Sequence, residues 1–203
     1  LEGEDKEAAV TFAMGLVERK VLDTSRLYRD ILTPAMNNMS CQLGEESWCI
    51  WKEHVRTSIV RTIIECCYPF IMIEREGRAE QGAKGNVLIV CPQEEYHELG
   101  ARMVSDLFTL SGFNSIFIGA NTPEDEIMSA IGFVKPKYLG ISASSSYSLF
   151  AVSRLIERIR KEGRFDGVRI IVGGVAFSAN PNVWEKVGAD LCVNDLNGIR
   201  ELE

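Results

Sequence analysis

The chain contains two histidines, His54 and His97, so imidazole chemistry has only two candidate positions. His97 follows an apolar run and lies two residues after a carboxylate, in the segment Glu95-Tyr96-His97-Glu98-Leu99-Gly100. A neutral imidazole is a common metal ligand, but a single histidine near a helix start is more often a polar surface residue. This segment alone therefore leaves both a ligand role and a surface role open.

Two further loops carry residues suited to holding a ligand. The serine-rich segment Ser142-Ala143-Ser144-Ser145-Ser146 and the diglycine Gly173-Gly174 each follow an apolar run. Serine hydroxyls are small hydrogen-bonding groups, and adjacent glycines remove side chains so that a bulky group can lie against a sheet edge. Together with His97, these loops predict a slot beside a sheet with an imidazole at its mouth.

Short apolar runs that alternate with helical segments position these loops. This alternation predicts an α/β fold with a parallel, doubly wound, five-stranded sheet of the flavodoxin-like (Rossmann-like) order, which binds ligands at the carboxyl ends of its strands. The predicted strands are 87–90, 115–118, 138–141, 168–172 and 191–193. The predicted helices are 97–111, a segment opening at Pro123, 146–162 and 182–187.

The front of the chain is predicted to be helical throughout. We expect a helical cap domain over residues 1–75, a polar linker over 76–85 and the sheet domain over 86–203. Four short helices form the predicted cap as a small bundle. Asp23-Thr24-Ser25 is expected to cap the second helix, Pro34 to lie in the first turn of a separate third, and Pro69 to kink or split the fourth.

Composition argues against several classes of protein. The 203 residues are 46% hydrophobic and 25% charged, which is typical of a soluble globular protein. A net charge of −7 disfavours unaided nucleic-acid binding. No apolar run is long enough for a membrane span, and the charged start Leu1–Glu7 does not resemble a signal peptide. The six cysteines form no C-x-x-C pair, so we expect reduced thiols in a cytoplasmic protein.

The loop after the first strand also disfavours two common uses of this fold. A dinucleotide site needs glycines there, whereas this loop has Pro92 and the carboxylates of Glu94 and Glu95, which would repel phosphate. Those carboxylates could pass for the metal-binding pair of a phosphoryl-receiver domain. A receiver would need an acceptor aspartate after the third strand, and serines stand there instead.

With these loops taken together, the chain resembles the cobalamin-binding domain family. The family signature is Asp-x-His-x-x-Gly, followed by Ser-x-Leu and then Gly-Gly. Here the three elements stand as Glu95-Tyr96-His97-Glu98-Leu99-Gly100, Ser142-Ala143-Ser144 and Gly173-Gly174, at intervals that suit the family. Members of the family often carry a four-helix cap, so the resemblance extends to the front of the chain.

The resemblance implies a cofactor and a role for each loop. The cofactor would be cobalamin, as adenosylcobalamin or methylcobalamin, with His97 as the lower axial ligand of cobalt in place of the cofactor's own base. Glu95 would accept a hydrogen bond from the second imidazole nitrogen, and Gly100 completes the signature. The displaced nucleotide tail would occupy a slot, and a further loop, Gly119-Ala120-Asn121, would face the corrin. The expected slot residues are Ser142, Ser144, Gly173 and Gly174.

The sequence departs from the family pattern in two places. Glu95 replaces the usual Asp, and Ser144 replaces Leu. A Glu-x-His turn looks more like the light-sensing, adenosylcobalamin-dependent transcription regulators and their stand-alone relatives, which also carry a Trp ten residues before a Glu-His pair.

The cap keeps only part of that regulator pattern. Glu53-His54 supplies the pair, but Leu43 occupies the tryptophan position. Trp48 and Trp51 lie nearby, and each is either a cofactor-capping residue or a core residue of the bundle.

Two functions follow from the resemblance. The main hypothesis is a non-catalytic cobalamin sensor, in which the cofactor bridges cap and sheet domain. The alternative is a corrinoid methyl carrier, the corrinoid subunit of a methyltransferase system. A mutase-type module is disfavoured because the chain contains no catalytic barrel. Expected partners are cobalamin and either a regulator or a methyltransferase protein, with no direct nucleic acid and no membrane; a homo-oligomer stays open.

Overall fold

The chain divides into two compact units, Leu1–Glu76 and Gly77–Glu203. The structure is a computed structural model. It describes residues 1, 3–38, 46–76, 84–179, 182–193 and 195–202, without side-chain detail at 46–49, 196 and 197.

Helices make up the regular structure described in the first unit. Helix α1 spans Lys6–Glu18 and begins at Asp5, whose carboxylate accepts a hydrogen bond from the backbone N–H of Ala8 at 2.9 Å. Asp23 caps the next helical stretch in the same way, through the N–H of Arg26 at 2.8 Å. Aspartate is favoured at this position because it satisfies donors that have no partner inside the helix.

The predicted second and third helices are one continuous stretch, which corrects the expected break at Pro34. Helix α2 (Thr24–Arg26) runs into a π-helical segment (Leu27–Leu32) and then into α3 (Thr33–Asn37). The N–H of Thr33 bonds to the carbonyl of Tyr28, one residue further back than in an α-helix. The wider turn comes directly before Pro34, which lacks an N–H and would clash with the carbonyl four residues back.

Helix α4 spans Glu46–Glu76 and contains Pro69 without being divided there. Pro69 and Glu65, one turn before it, both lie on the exposed side of the helix. The backbone around the proline is therefore accessible to water rather than sealed in the core, and the expected split does not occur.

The second unit contains a five-stranded parallel sheet in the order β2-β1-β3-β4-β5. This order confirms the predicted flavodoxin-like α/β fold with a helical region before it. The strands are β1 (Asn86–Pro92), β2 (Asn114–Thr122), β3 (Tyr138–Ser142), β4 (Arg169–Gly173) and β5 (Leu191–Cys192). The helices are α5 (Leu99–Leu110), α6 (Glu124–Val134), α7 (Ser148–Lys161), α8 (Val175–Ser178), α9 (Val183–Lys186) and α10 (Leu196–Arg200), with a 3₁₀ turn at Gly163–Phe165.

Apolar side chains cover both faces of this sheet. Leu88 and Val90 of β1 pack into one core with α6 and α7, while Val87 and Ile89 pack into the other with α5. Burial on both faces explains why β1 is a continuous apolar run rather than an alternating one. The loops at the carboxyl ends of β1, β2, β3 and β4 are thereby held on a rigid platform.

Helix α5 begins at Leu99, two residues later than expected. His97 therefore lies in the loop after β1 and not in the first turn of a helix. The backbone N–H of His97 donates to the Glu95 carboxylate at 2.9 Å, and the Glu95 carbonyl accepts the N–H of Asn121 at 2.8 Å. These two partners compete with the helical hydrogen bonds and hold this part of the loop out of the helix.

Candidate functional site

A buried carboxylate, that of Glu95, organises the carboxyl end of the sheet. The residue is 1% exposed and follows β1. Its Oε1 accepts from the backbone N–H of His97 at 2.9 Å and lies 2.8 Å from His97 Nδ1. Its Oε2 accepts from the backbone N–H of Ser144 and from the hydroxyl of Ser148, both at 2.8 Å. The loops after β1 and β3 are thus joined through one side chain.

Hydrogen bonds keep this carboxylate ionised. Burial by itself raises the pKa of Glu95, but the backbone N–H groups of Ser144 and His97, with the ring and hydroxyl contacts, lower it to about 2. An ionised carboxylate can only accept, so the proton between Glu95 and the imidazole belongs to His97 Nδ1. In the neutral form of the ring, the other nitrogen, Nε2, is then the one that carries a lone pair.

The His97 ring is presented outward. Its side chain is 72% exposed although its Nδ1 is held by the buried Glu95. A ring fixed through Nδ1 with a lone pair on Nε2 is the arrangement in which histidine ligates a metal. In the described part of the chain, no three His, Cys, Asp or Glu side chains come together to hold an ion. The outward ring, held at its other nitrogen, makes His97 a candidate metal ligand.

The last residues of β2 brace the loop that carries His97; Gly119, Ala120 and Asn121, which the sequence predicts in a loop after the second strand, lie inside β2. The Asn121 side-chain oxygen accepts the N–H of Glu94 at 2.9 Å, and the Ala120 N–H donates to the Glu98 carboxylate at 3.2 Å. Glu94 and Asn121 both adopt left-handed backbone conformations, with φ of 69° and 49°. Such backbone is costly outside glycine and persists where surrounding contacts hold it, often at functional sites.

The diglycine after β4 packs closely against the protein's own backbone. A Cβ at Gly174, where φ is +101°, would clash with the carbonyl oxygen of Ala143, and one at Gly173 would lie 2.7 Å from the carbonyl oxygen of Val193. These glycines are therefore required by close approach of neighbouring loops, whatever lies beside them. Ser142, half-buried at the end of β3, pairs with Gly173 in the sheet register.

Comparison with known families identifies this arrangement. Residues 85–195, more than half of the chain, match the family model described as the B12 binding domain. The chain belongs to the B12-binding domain family. The match covers all three loops of the signature, from the strand that precedes Glu95 to the loop beyond the diglycine.

Curated relatives of this B12-binding chain are corrinoid proteins. It is 30% identical to the dimethylamine corrinoid protein of Methanosarcina barkeri over 115 residues, 54% of this chain and 53% of that one. It is 23% identical to trimethylamine corrinoid protein 2 of Methanosarcina mazei over 189 residues, 92% and 83% of the two chains. A Desulfitobacterium hafniense corrinoid protein is 24% identical over 58% of this chain and 54% of the relative. The chain spans about half the length of most of these relatives. Together with the family match, they identify it as a corrinoid-binding protein.

Solved structures share the fold. The monomethylamine corrinoid protein of Methanosarcina barkeri superposes with a TM-score of 0.70 at 16% identity, covering 97% of this chain and 93% of that one. A cobalamin-binding protein from Desulfitobacterium hafniense gives 0.55 at 18% identity, covering 97% and 96%. At these identities the similarity shows the fold, including the helical region before the sheet.

The residues at the carboxyl end of the sheet fit a corrinoid. Gly100 lies exposed in the first turn of α5, and a Cβ added there would meet no protein atom within 4 Å. Packing within the chain therefore gives no reason for a glycine, which costs about 1 kcal/mol relative to alanine inside a helix. Gly119, with φ of +125°, has similar open space beside it. Open space beside these two glycines, one three residues after His97 and one in the neighbouring strand β2, leaves room for a large planar ligand.

The residues predicted in the helical unit are only partly described. Trp51 lies on α4 and is 46% exposed, so the alternative that it is a core residue is wrong. Glu53 and His54 are exposed on the same helix. The side chain of Trp48 lies outside the described part of the structure.

Sequence analysis missed two residues that touch the site. Ser148, in the first turn of α7, donates to Glu95, and the Glu98 carboxylate accepts the N–H of Ala120 near the end of β2. The role of Ser148 could not be recognised from the sequence because the residue falls in a predicted helix, where a polar side chain is usually solvent-exposed. Ser148 is buried at the start of α7, six residues after Ser142, and its contact with Glu95 depends on how α7 packs.

No helix in the described ranges is long and apolar enough to cross a membrane.

Proposed function

We propose that this chain is a corrinoid methyl carrier, which holds its cofactor through His97 and passes a methyl group between partner enzymes. The observation that carries the proposal is the outward His97 ring held by the buried Glu95 carboxylate at 2.8 Å. The methylamine corrinoid proteins among its relatives support the carrier over the sensor. A bound corrinoid supplies a cobalt centre that can accept and release a methyl group.

The chain's own residues have separate tasks in this proposal. His97 would hold the cobalt through Nε2, and Glu95 would hold the Nδ1 proton and the ring orientation. Ser142 and the backbone of Gly173 and Gly174 would border the space proposed for the nucleotide tail. Ser144, proposed for the same space, also donates its backbone N–H to Glu95 Oε2 at 2.8 Å.

A cobalamin sensor is the second candidate function. The observation that favours it is the exposed group on α4, where Trp51 is 46% exposed beside the exposed Glu53 and His54. An indole face can pack on an adenosyl group while a carboxylate accepts from ribose hydroxyls. A methyl group would leave such contacts unused.

The two functions can be separated with two cofactors and light. The full chain is reconstituted with methylcobalamin and with adenosylcobalamin, and the affinity and hydrodynamic size are measured before and after illumination. The carrier should bind both forms within about threefold and keep its size, because only the shared lower face is recognised. A preference of more than about tenfold for adenosylcobalamin, with a light-dependent change in size, would overturn the carrier in favour of the sensor.

A further inference from the structure

The hydroxyl of Ser144 occupies a position between the carboxylate and the imidazole. Its Oγ lies 2.8 Å from both carboxylate oxygens of Glu95 and 2.7 Å from His97 Nδ1. The Ser148 hydroxyl, in contrast, donates to Glu95 Oε2 at 2.8 Å and makes no hydrogen bond to the His97 ring. Ser144, unlike Ser148, therefore contacts both Glu95 and His97.

The direction of each hydrogen bond follows from the chemistry of the groups. Each carboxylate oxygen of Glu95 already accepts a backbone N–H, from His97 at Oε1 and from Ser144 at Oε2, so the carboxylate acts as an acceptor and the single proton of the Ser144 hydroxyl points to it. The hydroxyl oxygen keeps lone pairs that can accept from His97 Nδ1–H. The Nδ1 proton thus lies between two acceptors, Glu95 Oε1 and Ser144 Oγ.

We propose that Ser144 is a positioning residue that, with Glu95, fixes the tautomer and orientation of the His97 ring. Two acceptors on Nδ1 favour the Nδ1–H tautomer, which leaves Nε2 unprotonated and directed outward. The leucine of the family signature has no polar atom and could not do this. The inference rests on the assignment of His97 as the cobalt ligand in the proposed function, and it identifies a feature particular to this chain.

The first test uses the cofactor-free full chain. Its two histidines give a simple ¹⁵N spectrum, in which exposed His54 on α4 serves as an internal reference. Long-range ¹H–¹⁵N correlations at about pH 8.5, roughly two units above the ordinary histidine pKa, report the tautomer of each ring. In the wild type, His97 Nε2 should resonate as an unprotonated nitrogen.

Ser144→Ala should lower the ratio of Nδ1–H to Nε2–H tautomer at His97 by about fivefold, the ratio that corresponds to one net hydrogen bond. Ser148→Ala is the matched control, because it removes a hydroxyl from the same carboxylate without touching the ring. It should change the ratio by less than about twofold. Ser144→Thr keeps the hydroxyl and should return the ratio to near the wild-type value.

Equal shifts in Ser144→Ala and Ser148→Ala, or no shift in either, would overturn the proposal. So would a threonine variant that behaves like alanine. Electron paramagnetic resonance of the chain loaded with cob(II)alamin gives the second readout, in which Ser144→Ala should reduce the nitrogen-coupled fraction more than Ser148→Ala does. A tautomer effect without methyl transfer would refute the carrier alone, whereas wild-type protein lacking nitrogen coupling would refute the ligand assignment.

Discussion

The two histidines of this chain occupy opposite kinds of environment. His97 is held through Nδ1 by Glu95 and Ser144 at the end of a buried sheet. His54 is exposed on α4, and its ring makes no hydrogen bond with any residue that the structure describes. Both rings can reach solvent, so exposure does not distinguish a ligand from a surface residue. What distinguishes His97 is a fixed partner on the nitrogen that does not ligate.

The most direct way to break this comparison is to remove each ring in turn. His97→Ala should abolish nitrogen coupling in the electron paramagnetic resonance spectrum of the cob(II)alamin-loaded chain. It should also weaken cofactor binding by at least the 10- to 100-fold typical of lost outer-shell partners. His54→Ala should keep the coupling. Coupling that survives in His97→Ala would show that another nitrogen binds cobalt.

The next largest expected effect is on the free energy of unfolding at acidic pH. Because hydrogen bonding lowers the pKa of Glu95 to about 2 in the folded state, against 4.5 ordinarily, its stabilisation is complete above about pH 4.5 and is lost as the pH falls through 2. The contribution at neutral pH is about 3 kcal/mol.

Glu95→Gln should therefore lower the free energy of unfolding near neutral pH and flatten its pH dependence between pH 4.5 and 2, in urea titrations at a series of pH values. Glu94→Gln is the matched control, since it changes the exposed carboxylate one residue earlier. If the two variants give the same pH profile, the buried carboxylate does not stabilise the fold as the structure indicates.

Substitutions at two glycines distinguish contacts within the protein from contacts with the cofactor. Gly174→Ala should destabilise the protein by about 1–3 kcal/mol, because of its left-handed backbone and its approach to Ala143. Gly100→Ala should instead raise the free energy of unfolding by up to about 1 kcal/mol while weakening corrinoid binding. Chemical denaturation and a cofactor titration measure the two effects. A Gly100→Ala variant that binds normally would mean that the cofactor does not approach this helix turn.

The smallest effect on cofactor affinity is expected from a substitution in the helical unit. For a methyl carrier, Trp51→Ala should change the affinities for methylcobalamin and adenosylcobalamin by less than about twofold, because an exposed side chain contributes little unless it contacts the ligand. Spectroscopic titration with each cofactor checks this. A selective loss of adenosylcobalamin affinity in Trp51→Ala would indicate that this part of α4, which also carries His54, contacts the adenosyl group. The sensor would then be the better hypothesis.

The sheet and the positions of its loops could be predicted from the sequence because each buried strand is visible as a short apolar run. The strand β1 is apolar on both faces, so its run of Val, Leu and Ile could be identified without a partner strand. The rule that parallel sheets bind ligands at the carboxyl ends of strands then indicated the segments that carry His97, the serines and the diglycine. The roles of His97 and Glu95 came from the family resemblance and stay predictions.

Other features depend on contacts that no local pattern contains. The π-helical segment that joins α2 to α3 responds to Pro34, yet the sequence signals only a break. The tight packing of Gly174 depends on Ala143, in a loop from a different strand. Ser148 joins the site through the position of α7. Each is set by the packing of distant segments, which composition and periodicity do not report.

The left-handed residues Glu94 and Asn121 have a consequence for how the site tolerates genetic variation. The Glu94 N–H donates to the Asn121 side chain, and neither residue belongs to the set proposed to ligate cobalt or to hold the ligand ring. Loss of the Asn121 amide would remove that acceptor, and a β-branched residue at position 94 would be strained in the left-handed backbone. Either change would loosen the segment leading into His97 without removing a ligating group. In a population screen for variants with altered cofactor retention, positions 94 and 121 would therefore appear as graded modifiers, while changes at 97 would be all-or-none.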